Sequence, residues 1–283
     1  MTPHLNIEDA TALLELNEGK NWECAIEIGA KSLTYILYSL ERKKVYALRT
    51  FRFDPLKLSR SELDDMLGDS LIRKAKKIHV SLETNRFVLV PSSLFDAKNQ
   101  KDYFTFLYPL YPEDVLQHQL IGEDKVSVFA NRRTTVDFIH GKFKKAVIRH
   151  GDSCLLSFYE NTGNADHPRV YISLGTSSAT ITLFTGSQLV YHQAIALEGL
   201  SDVLYPVANC IHQFSLDSTK VQFYIGGEFD GSHTRTEELM HILSGHYQRV
   251  EYMKRPMHLN YPAGIDDVPV YAYVKLFATA LCE

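Results

Sequence analysis

Two short stretches of this 283-residue sequence place a glycine just after a strand-like run and follow it with small or polar residues. In AIEIGAKSLTYIL, Gly29 precedes Ala30, Lys31 and Ser32; in YISLGTSSATITL, Gly175 precedes Thr176 and Ser177. A glycine there lets the backbone bend close to a ligand, and the amides of the following turn can bind an anion. Two positions before each glycine stand Glu27 and Ser173. A third stretch, KVQFYIGGEFDGSHTRTEELMHIL, ends a strand at Gly226 and Gly227 ahead of a helix, where a flat ligand can lie against the backbone. No Gly-Lys-Ser/Thr run has P-loop spacing, and each turn read alone is also an ordinary turn.

The elements around these turns repeat. Strand-like runs start at Cys24, Leu33 and Lys44, rich in β-branched and aromatic residues. SRSELDDMLGDSLIRKA follows as a helix capped by Ser59 or Ser61, with Leu63, Met66, Leu67 and Leu71 as its apolar stripe, and KIHVSLE returns as a strand. From Arg169 the order recurs: three strands, a helix LSDVLYPVANCIHQF interrupted by Pro206, and the strand KVQFYIGG. RTEELMHILSG and VPVYAYVKLFATALCE read as further helices, with RVEYM as a short strand between them. Duplicated β-β-β-α-β units predict two α/β domains with a central cleft, a place where ligands bind. The expected organisation is a leader or extra edge element over 1–20, a first domain over 21–160 and a second over 168–283, joined through the polar stretch ENTGNADHPR. Within the first domain, residues 86–159 fit the repeat least and read as an inserted or divergent subdomain.

Taken together, AIEIGAKSLTYILYS, YISLGTSSATITLFTGSQLVYHQAI and VQFYIGG resemble the two phosphate loops and the adenosine motif of the actin-like ATPase superfamily, which has a ribonuclease H-like fold. That superfamily includes actin, the heat-shock chaperone ATPase domain, sugar kinases and bacterial relatives. The second loop is closest in style to the pilus-assembly and cell-division branch, and the whole chain is similar to a bacterial family of unknown function. The resemblance implies ATP or ADP with magnesium in contact with Gly29, Ala30, Lys31, Ser32, Ser173, Gly175, Thr176, Ser177, Gly226 and Gly227. It also implies an aspartate in each phosphate loop to hold the metal, and here those positions are Glu27 and Ser173. Glutamate keeps the charge but displaces it by roughly an ångström. Serine removes it. Glu27 therefore stands as the one metal-binding or catalytic candidate, with a solvent-facing edge-strand glutamate as the plain alternative. Ser173 is most simply a residue that satisfies a nearby backbone group.

The bulk numbers narrow the classes. A hydrophobic fraction of 45% supports a sizeable core, and a net charge of −4 supplies no basic field for nucleic acid. No apolar run reaches the ~20 residues that span a bilayer, and the acidic start is unlike a signal peptide. Cys24, Cys154, Cys210 and Cys282 lie far apart and read as reduced thiols of a cytoplasmic protein. Twelve histidines invite a metal, but His233, His241 and His246 lack the i,i+4 pairing that puts two ligands on one helix face. The expected function is a degenerate actin-like protein: a non-catalytic or weakly nucleotide-binding scaffold or assembly partner, with protein partners and room for a homo-oligomer. The alternatives are a magnesium-dependent ATPase or small-molecule kinase using Glu27, and a cleft that takes a non-nucleotide ligand.

Overall fold

The computed structural model describes residues 2–17, 21–54, 56–57, 59–162, 166–227 and 233–282. Parts of the leader and of ENTGNADHPR, and the loop after Gly227, lie outside the described residues. The elements run β1 (Leu5–Glu8), α1 (Ala10–Asn17), β2 (Glu23–Ile28), β3 (Ser32–Ser39), β4 (Lys44–Arg52), α2 (Arg60–Met66), α3 (Ser70–Lys74) and β5 (Ile78–Leu82). Then come β6 (Phe87–Pro91), α4 (Gln100–Thr105), β7 (Asp114–Ile121), β8 (Lys125–Arg132), α5 (Arg133–Lys142), β9 (Ala146–His150) and α6 (Gly151–Glu160). The remainder holds β10 (Arg169–Leu174), β11 (Ser178–Thr185), β12 (Gln188–Ala196), α7 (Ser201–Gln213), β13 (Gln222–Gly227), α8 (Thr234–His246), β14 (Val250–Tyr252) and α9 (Val274–Leu281).

The chain forms two compact units. Unit 1 takes residues 1–158, 258–265 and 275–283, and unit 2 takes 159–257 and 266–274. The expected second domain runs unbroken to residue 283, whereas the two C-terminal pieces 258–265 and 275–283 pack with unit 1. Backbone bonds between Asn260 and both Lys43 and Val45 hold the first piece, and an ion pair from Lys275 to Asp152 holds the second.

The repeat is visible in the sheets. Unit 1 has a six-stranded sheet ordered β1-β4-β3-β2-β5-β9, and unit 2 a five-stranded sheet ordered β12-β11-β10-β13-β14. In each, the first three strands of the repeat form an antiparallel meander, and a helical crossover returns the chain parallel to the first strand. Both meanders carry a register shift at the same place, Leu37/Tyr38 in β3 and Leu183/Phe184 in β11. The fold is the duplicated α/β architecture that the sequence predicts. β1 adds an edge strand beside β4, where Arg49 binds Glu8 and Asp69 and Asp69 also accepts from the Tyr35 hydroxyl.

Local sequence explains the crossover. Ser59 and Glu62 form a capping box that starts α2. The single helix expected there ends at Gly68, whose N–H closes a tight turn onto the Asp65 carbonyl at 3.0 Å; a Cβ at that position would lie equally close to this oxygen, which suits glycine, and Asp69 caps a second short helix. In α7, Pro206 sits inside the helix. The divergent segment contains a separate three-stranded sheet, β6-β8-β7, built over Val90, Phe104, Val126, Val128 and Ala130. After α5 the chain rejoins the main sheet as β9 beside β5.

Phe104 is fully buried in that small core. Phe104→Ala should cost about 3–5 kcal/mol. Hydrogen exchange should show the lost protection concentrated in β6, β7 and β8, with β2 and β3 unchanged.

Candidate functional site

In unit 1 the strand register gathers a polar row. Glu27 pairs with Thr34 of β3 on one side and Ser81 of β5 on the other, and Ser81 pairs with Arg149 of β9. Alternation sends these residues to the face opposite Ile26, Val80 and Ile148, which enter the apolar core. β2 is an interior strand, so Glu27 is not the solvent-facing edge glutamate of the plain alternative. The residue as a whole is half-buried, but its Oε2 is out of reach of solvent and has no hydrogen-bond partner. The Ser81 hydroxyl beside it is buried and unpartnered too.

A cation faces this row. Lys275 of α9 stands 3.1 Å from the Asp152 carboxylate of α6, with side-chain exposures of 15% and 11%. Gly151 makes room for the lysine stem: a Cβ there would lie 2.8 Å from Lys275 Cδ. Burial alone lowers the Lys275 pKa, but Asp152, Glu27 and Glu83 reverse this and raise it above the ordinary lysine value. Burial likewise pushes Glu27 up to about 7; Lys275 opposes the shift, while Glu83 and Asp152 add to it.

Next to this pair, His150 is buried against Phe87 and Phe129, at centroid distances of 4.6 and 5.2 Å. Burial lowers its pKa, so the ring is neutral. Its Nε2 lies 3.0 Å from the Thr84 carbonyl oxygen, which can only accept, so the proton sits on Nε2. Nδ1 then accepts from the Ser153 hydroxyl at 2.7 Å. The backbone N–H of His150 donates to Gln119 Oε1 at 3.0 Å.

The two turns singled out in the sequence close in the same way. Gly29 N–H donates to the Ser32 carbonyl at 2.9 Å, and Gly175 N–H donates to the Ser178 carbonyl at 2.7 Å. Each glycine amide is thereby used in the turn itself. The amides of Ala30 and Lys31, and those of Thr176 and Ser177, form no hydrogen bond among the described residues. Lys31 and Ser177 are exposed. Each turn therefore presents two adjacent free N–H groups, which suits an anion.

Gly226 and Gly227 lie beside the second turn, because β13 pairs with β10 so that Ser173 faces Gly226 and Leu174 faces Gly227. Both glycines are already filled by protein. A Cβ on Gly226 would meet Met253 Sδ at 2.7 Å and the Tyr271 carbonyl oxygen at 2.9 Å. Gly227, at φ +89°, would put one 2.1 Å from the Leu174 carbonyl oxygen. Close packing of strand on strand thus explains the pair. Ser173 is buried at the end of β10.

Glu27, Gly29, Ala30, Lys31 and Ser32 share one end of the unit 1 sheet; Ser173, Gly175, Thr176, Ser177, Gly226 and Gly227 share the corresponding end of the unit 2 sheet. Asp152 and Lys275 were missed by sequence reasoning. The signal for Lys275 was present: it is the one charge in the apolar run VPVYAYVKLFATAL. Asp152 opens a helix straight after the strand AVIRH, a stretch that reads as a solvated face when β9 is not recognised. Among the described residues, no group of three or more His, Cys, Asp or Glu side chains is arranged to hold a metal ion. Lys275 already neutralises Asp152, and Ser173 offers a hydroxyl where Glu27 offers a carboxylate. The residues present fit an anion at the turn amides and do not by themselves make a magnesium site.

Two β-β-β-α-β units with paired strand-end turns define an actin-like ATPase fold. A crystal structure from Bacteroides thetaiotaomicron VPI-5482, of a protein with an actin-like ATPase fold and unknown function, superposes with a TM-score of 0.77 at 14% identity, covering 94% of this chain and 98% of that one. A chain solved in a PilM–PilN type IV pilus biogenesis complex superposes with a TM-score of 0.63 at 14% identity, covering 92% of this chain and 97% of that one. This chain belongs to the family described as "protein of unknown function (DUF3822)", which matches residues 13–250. No curated protein matches it. Among the described residues, no helix is long and apolar enough to cross a membrane.

Two outcomes follow from this geometry. Folded Glu27 holds its proton more tightly than the unfolded chain does, so its contribution to stability is present at low pH and is lost as pH rises from about 4.5 to about 7. Glu27→Gln removes that loss: urea unfolding should show the variant more stable by roughly 2–3 kcal/mol at pH 8 and equal to the parent near pH 4. Gly227→Ala should cost at least about 3 kcal/mol, seen as a lowered thermal midpoint, because the methyl group meets backbone that has nowhere to move.

Proposed function

We propose that this protein holds the phosphates of a nucleotide through its turn amides, without efficient metal-assisted hydrolysis, and works in the cytoplasm as an assembly partner of other proteins. The observation that carries this reading is the unequal pair of strand ends: Glu27 in one copy of the repeat, Ser173 in the other. A magnesium ion bound at Glu27 would have to displace a proton held up to about pH 7 and compete with the Lys275 ammonium. At the strand end of unit 2, Ser173 offers a metal no charge. The free amides of Ala30, Lys31, Thr176 and Ser177 carry none of these costs, so anion binding survives where metal binding is weakened. The likeness to a chain solved in the PilM–PilN complex supports a protein partner.

A second reading, a magnesium-dependent ATPase or kinase that uses Glu27, is favoured by the buried, unpartnered Oε2 of that residue. Thermal-shift measurements with ATP, ADP and non-nucleotide ligands, with and without magnesium, separate the readings. The expected result is stabilisation by ATP and ADP that does not require magnesium, about 1.4 kcal/mol at ten times Kd, with no turnover. Ser173→Asp should make the response magnesium-dependent. A magnesium-dependent turnover abolished by Glu27→Ala would replace this reading with the second. Stabilisation by non-nucleotide ligands alone would exclude both.

A further inference from the structure

Two cysteines far apart in sequence meet at one amide. Gln119 of β7 directs its Nε2 at Cys154 Sγ of α6, 3.5 Å away, and at Cys282 Sγ just beyond α9, 3.2 Å away. The orientation of that amide is fixed at its other end, where Oε1 accepts the His150 backbone N–H. The NH₂ group therefore points at the sulfurs, and both must act as acceptors. Sulfur is a weak acceptor as a thiol and a good one as a thiolate. Arg149, on the neighbouring strand β9, adds a positive charge.

We propose that Cys154 and Cys282 form an oxidation-sensitive pair that a small hydroperoxide converts into a disulfide joining α6 to α9. Cys282 is the attacking sulfur. A hydrogen bond from Cys154, together with Arg149 and Gln119, outweighs burial and lowers its thiol, which favours the thiolate, and it is the more exposed sulfur of the two. Burial raises Cys154, which stays a thiol and donates to Cys282. Cys24 and Cys210 are also raised by burial. In the first step the Cys282 thiolate attacks one peroxide oxygen; the S–O bond forms, the O–O bond breaks and hydroxide leaves, giving a sulfenic acid. In the second, Cys154 sulfur attacks Cys282 sulfur; the S–S bond forms, the S–OH bond breaks, and the hydroxyl departs as water with the Cys154 proton. The peroxide gains the two electrons that the thiols lose. Cys282 is 8% exposed and Cys154 is 1% exposed, which favours an oxidant as small as hydrogen peroxide. The bond would fasten together the two helices that carry Asp152 and Lys275.

The test uses the full reduced chain treated with hydrogen peroxide. The intact mass should fall by two hydrogens, a non-reducing peptide map should contain a Cys154–Cys282 linked pair, and dithiothreitol should reverse both. Cys154→Ser should stop at a sulfenic acid on residue 282, trapped by dimedone, and Cys282→Ser should form neither species. Dimedone labelling of Cys24 or Cys210 ahead of Cys282, or a parent protein without the linked peptide, would overturn the proposal. Should a serine variant fail to fold, the parent's peptide map decides the question alone.

Discussion

Lys275 is the counter-charge on which the chemistry of unit 1 rests. Three carboxylates act on it, Asp152 at 3.1 Å and Glu27 and Glu83 through the field they set up. An ammonium held in so little water would lose its proton without them, and Glu27 would titrate still higher without the ammonium. Removing either partner of such a buried pair strands the other charge. The same interaction limits what else can bind. Lys275 is the positive charge that the chain itself supplies to these carboxylates.

The two halves of the repeat keep their backbone and differ in their side chains. Turn closure by Gly29 to Ser32 and by Gly175 to Ser178, and the register shifts in β3 and β11, recur at corresponding places. These features depend on main-chain hydrogen bonds and on glycine, so they tolerate exchange of nearly every neighbouring residue. Two positions before each glycine the copies differ: one carries Glu27 and the other Ser173. The two copies share this position in the fold and differ in the charge placed there.

This division also accounts for what could be read in the sequence. The meanders and crossovers were legible because their signals are local: β-branched runs, polar turns, and the Ser59–Glu62 capping box at the start of α2. The turns at Gly29 and Gly175 were legible for the same reason. β7 was missed because DVLQHQLI mixes polar residues into both faces of its strand: Gln119 is buried with a partner on the face of Ile121, while the apolar Leu120 is exposed. The association of Lys275 with Asp152 and Glu27 joins positions more than a hundred residues apart, and no local pattern announces it. Gly68 broke a helix whose apolar stripe continued on either side of it.

The glycine pair shows how a motif can be present while the reason for it lies elsewhere. Gly226 and Gly227 follow a strand, as a backbone that approaches a ligand would require. In this structure Met253, the Tyr271 carbonyl and the Leu174 backbone already fill the space that a side chain would take. Glycine is demanded at both positions by protein packing, whether or not anything binds. The pair therefore gives no weight to a bound adenosine, and the case for a ligand falls on groups that packing does not use. Those are the amides at Ala30, Lys31, Thr176 and Ser177, the Ser81 hydroxyl and the second oxygen of Glu27. The buried Ser81 hydroxyl and Glu27 oxygen carry a cost that a ligand or water relieves, whereas the exposed residues Ala30, Lys31 and Ser177 stand within reach of water and carry no such penalty. It is on these unused groups, more than on glycines or fold resemblance, that the proposed anion binding rests.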